Sequence, residues 1–339
     1  MITQSSALDA RLRIVCLGGG TGTYCVLRGL REHPVDLSAV VSIADNGGSS
    51  GMLRDQYGVL PPGDLRNAMS ALAPDPDIQE MLRFRFTTGG MKGHTLGNVL
   101  LTGLEQITGD PLRGLRMAHK LFQLKGRVIP VATRAANLLA ELMDGKILDS
   151  ETVIDQPTSD RSPIRRCYLD PPVQANPEAL EAISEADIIV IGPGDLYTSL
   201  VPVLLVGGVA SAIRDSKAMC MYVLNLATRR GQTTGYSGRN FCDTLAAYIA
   251  PGRIDRVLIN DAKPSPEVVA RYVEAGEGLV INDLSSAPYT VWSGPLISDE
   301  IARPEAGDPL VRSLFRHDSA KLASAILETY AVWNEGHVL

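Results

Sequence analysis

Apolar runs separated by glycine-bearing polar loops and by segments of helical spacing recur along the chain, the rhythm of an α/β protein. The first run, 13–17, ends in Gly18-Gly19-Gly20-Thr21-Gly22, after which Val26, Leu27 and Leu30 repeat at helical spacing. A run without polar alternation suits a strand buried on both faces of a parallel sheet. Runs at 37–44, 128–132, 187–191, 220–225 and 256–260 predict further strands of that kind. Helices are predicted over 64–73, 76–86, 95–122 with a pause at Gly109-Asp110-Pro111, 176–185, a segment through Tyr272, and 319–331. Residues 137–149, with Asp144-Gly145 at the turn, read as a hairpin. With 164–169 it makes a small antiparallel insertion between about 133 and 172. The expected fold is doubly wound and Rossmann-like, a mostly parallel sheet with helices on both faces. It forms a single domain over 12–331, between a polar tail at 1–11 and a short one at 332–339.

Several of these strands end in polar loops, and in a parallel sheet those loops share one edge. Ligands of open α/β sheets bind beyond such strand ends. The loop 18–22 brings backbone N–H groups close to a guest, and the helix that follows turns its partial positive end toward it. A phosphate is the natural occupant. No G-x-x-x-x-G-K-[ST] occurs, which excludes a P-loop NTPase, and the dinucleotide fingerprint G-x-G-x-x-G fails at Thr23. Asp45, at the end of the second strand, stands where a dinucleotide enzyme would hold a ribose, so a nicotinamide enzyme stays open. The segment 45–67, with two glycines and then Ser49-Ser50-Gly51, is predicted as a long irregular loop of functional character.

Composition narrows the field. The chain has 339 residues, 45% of them hydrophobic and 21% charged, with a net charge of -6. Its basic residues are scattered and only 5% of positions are aromatic, which argues against nucleic-acid binding. Five dispersed cysteines without a C-x-x-C pair fit a reducing compartment, with Cys16 and Cys220 as small core residues. The polar start lacks a signal-peptide core, and the greasiest stretch, 200–213, is interrupted and too short to span a bilayer. A soluble cytoplasmic chain without membrane attachment is expected.

The candidate chemistry centres on two carboxylates. Asp45 and Asp64 border the phosphate cradle and suit a Mg²⁺ shared with phosphate oxygens, or general-base work. Asp64 also fits the N-cap of its own helix. Arg54, Arg66 and Arg316 can pair with phosphates. His94 follows glycines at a predicted helix start, where a ligand contact or a plain loop position are both open. The pattern Gly47-x-Ser49-x-Gly51 matches a nucleophile elbow, which needs a helix directly behind the serine and a later histidine. Gly58 and Pro61-Pro62 oppose a long helix there, and neither His317 nor His337 has a persuasive context. The stretch reads better as a second anion cradle. The five histidines show no zinc spacing.

Several blocks together carry a resemblance. Leu17-Gly18-Gly19-Gly20-Thr21-Gly22, Ala44-Asp45-Asn46-Gly47-Gly48-Ser49-Ser50-Gly51, Pro61-Pro62-Gly63-Asp64-Leu65-Arg66-Asn67, Gly93-His94-Thr95-Leu96-Gly97-Asn98 and Ile191-Gly192-Pro193-Gly194-Asp195-Leu196-Tyr197-Thr198-Ser199 resemble the signature blocks of the YvcK/CofD-like family. The likeness runs from about Arg13 to Ala331 and is nearer the YvcK, or gluconeogenesis-factor, branch. That resemblance implies a cytoplasmic binder of a nucleotide-diphosphate sugar such as UDP-N-acetylglucosamine. It also implies a regulatory role in cell shape and cell-wall synthesis on gluconeogenic carbon sources, through a protein partner, with a homodimer open. Tyr272 and Arg316 match family positions tied to nucleotide-sugar binding. Gly192, Pro193, Gly194, Tyr197, Asn225, Asn67 and Asn98 complete the expected binding set. The CofD branch implies instead a transferase moving a phospholactyl-type group from a guanosine diphosphate carrier to a deazaflavin alcohol, with Mg²⁺ on acids near Asp45 and Asp64. Asn46 stands where many relatives carry a second aspartate, which removes one candidate metal ligand. No nucleophile or acid–base dyad stands out, so binding without turnover is expected.

Overall fold

The run that opens the sequence becomes β1 (Leu12–Gly18), an interior strand of a seven-stranded sheet. A computed structural model describes residues 11–156, 161–284, 288–298 and 316–336. β1 is flanked by β2 (Val35–Val41) and, beyond it, β3 (Arg127–Pro130). A small antiparallel sheet follows in the chain, made of β4 (Asn137–Leu142), β5 (Ile147–Leu148) and β6 (Ile164–Asp170). On the far side of β1 lie β7 (Ile188–Ile191), β8 (Met219–Val223), β9 (Arg256–Asn260) and β10 (Thr290–Gly294). The large sheet has the order β10-β9-β8-β7-β1-β2-β3, and every neighbouring pair is parallel. The chain leaves β1 in one direction to β2 and β3, then returns to β7 on the other side. The switch point, where an open α/β sheet binds its ligand, therefore falls between β1 and β7.

Burial explains why these runs fold as they do. Residues 14–17 of β1 and all of β7 and β8 are buried, as strands covered by helices on both faces must be. α1 (Gly20–Leu30) packs on one face, its side chains Val26, Leu27 and Leu30 fully buried. Cys16 and Cys220 are core residues as expected, and all five cysteines are buried free thiols. The insertion forms as a hairpin at 143–146, where Leu142 N–H donates to the Lys146 carbonyl at 2.9 Å, and β4 also pairs antiparallel with β6.

The structure departs from the sequence reading in four places. First, the segment 45–67 is not one irregular loop but two helices, α2 (Gly48–Tyr57) and α3 (Pro62–Leu72). Gly58, at φ +67°, is a left-handed helix end, and Pro62 opens the next helix, so the residues taken as breakers are punctuation. Second, the glycines Gly47 and Gly48 are the cap and first residue of α2, so the stretch read as a second anion cradle is a helix N-terminus and not a loop. Third, Asp64 is not the cap of its own helix, whose N-cap is Pro61. Fourth, β10 was not foreseen; as a half-exposed edge strand, Thr290–Gly294 lacks a continuous apolar run.

α4 (Pro76–Arg83), α5 (Leu96–Thr108) and α6 (Pro111–Phe122) follow the predicted rhythm, a short α7 (Glu151–Asp155) that no pattern marked lies between β5 and β6, and α8 (Pro177–Glu185) again follows the prediction. A single π-helical turn, Leu196–Leu200, follows β7 and runs into α9 (Val201–Leu204). Then come α10 (Val209–Asp215), α11 (Gly238–Ile249), α12 (Pro266–Glu274) and α13 (Ser319–Glu335). α13 thus runs past 331 into what was expected to be a tail. The rest of the two expected tails, residues 1–10 and 337–339, and with them His337, lie outside the described residues.

The loop after β1 and the loop after β7 touch through their backbones. A Cβ on Gly22 would run into the carbonyl of Pro193, which no rotamer change can relieve. Gly22→Ala is expected to lower unfolding stability by about 1–3 kcal/mol, the usual cost of overpacking. Gly103→Ala, on α5 where an added methyl meets open space, is expected to raise it by about 0.5–1 kcal/mol. Urea unfolding of the two variants beside the parent chain checks both signs.

Candidate functional site

A cleft of about 660 Å³ opens at the carboxyl ends of the strands, over the switch point. That volume lies in the range of small-molecule sites. Gly19, Gly20, Thr21 and Gly22 line it from the β1 turn and the first turn of α1. Asp45 and Gly47 come from the β2 loop, and Gly48, Ser49 and Ser50 from the start of α2. α3 adds Asp64 and Asn67, and α5 adds Asn98. Pro193 and Gly194 after β7, Asn225 after β8, Tyr272 on α12 and Arg316 just before α13 also line it. Segments far apart in sequence therefore meet because their strands end at one edge.

Asp64 holds the first turn of α1 in place. Its Oδ1 accepts the Gly20 N–H at 2.8 Å, so a carboxylate of α3 caps a different helix, where negative charge is favoured. Asn225 ties two loops together. Its Nδ2 donates to the Gly194 carbonyl at 2.7 Å while its Oδ1 accepts from the Tyr222 hydroxyl at 2.8 Å. Arg66 is 5% exposed and donates from Nε to Asn98 Oδ1 at 3.0 Å. Asn98 in turn donates to Ser49 Oγ at 3.0 Å, and Ser49 Oγ lies 3.1 Å from His94 Nδ1.

The cleft carries opposed charges in close quarters. Burial raises the carboxyl of Asp45 above its ordinary range, against hydrogen bonds from Ser50 and the Gly47 N–H and the pull of Arg66 and Arg54. Burial also drives Glu151 well up, and the charges of Asp45, Asp155 and Asp64 add to it. Asp155 is pushed up to about 6 by burial and by Asp195, even though Arg229 Nη2 lies 3.2 Å from its carboxylate and pulls the other way. Arg229 also faces Glu277 at 3.6 Å. Arg316 Nε and His317 Nε2 are buried cleft nitrogens with no hydrogen-bond partner among the described residues. Burial holds the His317 imidazole neutral, lowered to about 4. Unpaired buried donors of this kind are costly unless something else satisfies them.

Five residues of the expected binding set stand off the cleft wall. Gly18 closes β1 beneath the turn, and Gly192 sits behind Pro193. Tyr197 is 3% exposed and its hydroxyl pairs with that of Tyr236 at 2.8 Å. Asn46 turns to the insertion, accepting from the Thr152 N–H at 3.0 Å and its hydroxyl at 2.7 Å. His94 reaches the cleft only through Ser49. Arg54 is also turned away, toward Asp55 and Asn137. The sequence reading missed Glu151, Thr152 and Asp155, which α7 brings from the insertion, and Asp195, Thr228, Arg229 and Glu277. The polar loop after β8 pointed toward Arg229. Nothing in the insertion's hairpin pattern marked its five-residue helix as cleft wall.

Among the described residues no group of three or more histidines, cysteines, aspartates or glutamates is arranged to hold a metal, and no helix is long and apolar enough to cross a membrane. Residues 14–297 match the family model described as 2-phospho-L-lactate transferase CofD. The chain is 41% identical over 324 residues to a protein of Thermotoga maritima, covering 95% of this chain and all of that one. It is 39% identical over 319 residues to the gluconeogenesis factor of Halalkalibacterium halodurans, covering 93% of this chain and 95% of that one. With the gluconeogenesis factor of Bacillus subtilis the identity is 34% over 319 residues, covering 93% and 97%. A crystal structure of a UPF0052 family member from Bacillus halodurans superposes with a TM-score of 0.85 at 36% identity, covering 94% of this chain and 99% of that one. With the parallel sheet, the switch-point cleft and the signature loops all in place, the chain belongs to the CofD-like family, in the branch of the gluconeogenesis factors.

Proposed function

We propose that the cleft binds a nucleoside diphosphate sugar of the UDP-N-acetylglucosamine type, and that the chain is a cytoplasmic regulator acting through that ligand. The observation that carries this is Arg316. Its buried Nε–H has no partner among the described residues, and it lines the same cleft as the first turn of α1, where N–H groups and the helix dipole favour an anion. A guanidinium and a helix N-terminus on one cleft suit a diphosphate. Tyr272, 4% exposed and on the cleft wall, supplies a flat apolar surface with a polar tip for the base or sugar. Relatives named gluconeogenesis factors support a role in gluconeogenic growth, and the resemblance to that branch extends the proposal to cell shape and cell-wall synthesis. Such a role needs a protein partner.

The family model's description favours a second reading, a 2-phospho-L-lactate transferase, for which the resemblance to the CofD branch implies a deazaflavin alcohol acceptor, a GDP-linked donor and Mg²⁺. The donors fit that ion. Asp45 and Asp64 are hard oxygen ligands on the cleft, and Mg²⁺ is commonly held by one or two carboxylates together with phosphate oxygens. A bound Mg²⁺ would supply charge neutralisation at the diphosphate. Asp45, Asp64 and Glu151 crowd one end of the cleft, so a cation entering with the ligand would relieve their mutual repulsion.

Calorimetry with UDP-N-acetylglucosamine, GDP and NAD, each with and without Mg²⁺, separates the readings. UDP-sugar binding that weakens about tenfold to a hundredfold in Arg316→Ala is expected, the loss of a charge-assisted hydrogen bond. Tyr272→Ala is expected to weaken it as well. Binding of GDP alone, with product formed on a deazaflavin acceptor, overturns the first reading.

The raised carboxyls set a pH dependence. The UDP-sugar diphosphate has no proton to lose near neutrality, so any change reports the protein. As pH rises through about 6, Asp155 ionises and adds negative charge beside the anion. Mg²⁺-free affinity is therefore expected to be lower at a pH about 1.5 units above that value than just below it. The same shift acts on folding. A carboxyl whose folded value lies above its unfolded one binds protons more readily in the native state, so its contribution to stability falls as pH rises from about 4 to about 6. Titration calorimetry and urea unfolding across that window check the two signs.

A further inference from the structure

The serine of the Gly47-x-Ser49-x-Gly51 pattern does have the surroundings that the sequence seemed to lack. A helix begins directly at this point, with Ser49 its second residue. A histidine stands against it: His94, from the turn before α5, places Nδ1 3.1 Å from Ser49 Oγ. The hydroxyl is also held from the other side, since Asn98 Nδ2 donates to it at 3.0 Å and Arg66 Nε donates to Asn98 Oδ1 at 3.0 Å. With one lone pair taken by Asn98, the Ser49 hydroxyl donates to His94 in the tautomer whose Nδ1 is unprotonated, and the oxygen still lines the cleft. Nucleophile, base and an orienting third group are the parts of an activated hydroxyl. Ser49 also shares the cleft with Arg66, Arg85 and the first turn of α1, which suit phosphate oxygens and developing negative charge.

We propose that Ser49 and His94 form a nucleophile–base pair that slowly cleaves the diphosphate of a bound nucleoside diphosphate sugar. This rests on the nucleotide-sugar reading above and adds turnover to it. Ser49 Oγ bonds to one phosphorus while the bridging P–O bond breaks. The bond's electron pair leaves with the departing phosphate, and the serine proton moves to His94 Nδ1. Water then attacks the same phosphorus, losing a proton to the solvent. The Oγ–P bond breaks, and Ser49 recovers its proton from His94. The balance is nucleoside diphosphate sugar plus water giving nucleoside monophosphate plus sugar 1-phosphate, with no oxidant or reductant. Asn98 and Arg66 are positioning residues for the hydroxyl.

The experiment incubates the full chain with UDP-N-acetylglucosamine in Mg²⁺ buffer and follows UMP and sugar 1-phosphate by phosphorus NMR. Acid-quenched samples are read by intact mass and peptide mapping. UMP release above the protein-free rate is expected, with a uridylyl or glycosyl-phosphoryl adduct on Ser49. Release is expected to fall about 10²-fold or more in Ser49→Ala and in His94→Gln, the usual worth of a positioned base. The adduct is read on the unaltered chain, so it does not depend on how a variant folds. Ligand binding in calorimetry without UMP release overturns the proposal and leaves the binding reading standing. Release unchanged in Ser49→Ala overturns it too. Absence of binding removes the nucleotide-sugar reading and this proposal with it.

Discussion

The hydrogen bond from Gly20 N–H to Asp64 Oδ1 ties together most of what surrounds the cleft. It fixes the first turn of α1 against α3, and so sets where β1's loop meets the loop after β7. A helix N-terminus carries N–H groups without intrahelical partners, and a carboxylate there is a stabilising neighbour. The same carboxylate is negative, and it lies on the wall of a cleft read as an anion site. The protein thus spends part of its helix-end field on its own fold. On the proposed reading, a diphosphate arriving here draws on the rest of the first turn and on Arg316, whose buried Nε has no partner among the described residues. This division of labour explains why the glycine loop alone was a weak signal. Its amides serve architecture as well as ligand.

Much of the fold was legible because burial on both faces forces unbroken apolar runs. Residues 14–17 and 188–191 show it plainly, while the Asp144-Gly145 turn marked the insertion's hairpin. What stayed hidden depends on contacts between residues distant in sequence. Asp64 looked like a cap for its own helix because capping is usually local, yet its partner lies 44 residues earlier. Gly58 and Pro61-Pro62 looked like obstacles to helix, whereas in place they end one helix and begin another. The cleft followed the same division. The strand-end loops marked most of its wall, while α7, the source of Glu151, Thr152 and Asp155, reaches the cleft only by folding back from the insertion. His94 is the plainest case. Its role is invisible until α5 and α2 are packed side by side and its ring meets Ser49.

Asn46 shows how the packing changes the meaning of a single position. From sequence it is a missing metal ligand beside Asp45. In the structure its Oδ1 receives both the N–H and the hydroxyl of Thr152, so the side chain braces the start of α7 and is not a cleft ligand. An acid at 46 could accept the same two hydrogen bonds, but it would set another negative charge beside Glu151, already driven well up by burial and by Asp45, Asp155 and Asp64. The neutral amide keeps the brace without that cost. Asn46 therefore bears on the position of α7, and through Glu151 and Asp155 on the charge of the far wall. The number of metal ligands does not follow from it. Asp45 and Asp64 share the cleft with the carboxylates carried by α7, and the brace at Asn46 ties the β2 loop to that helix.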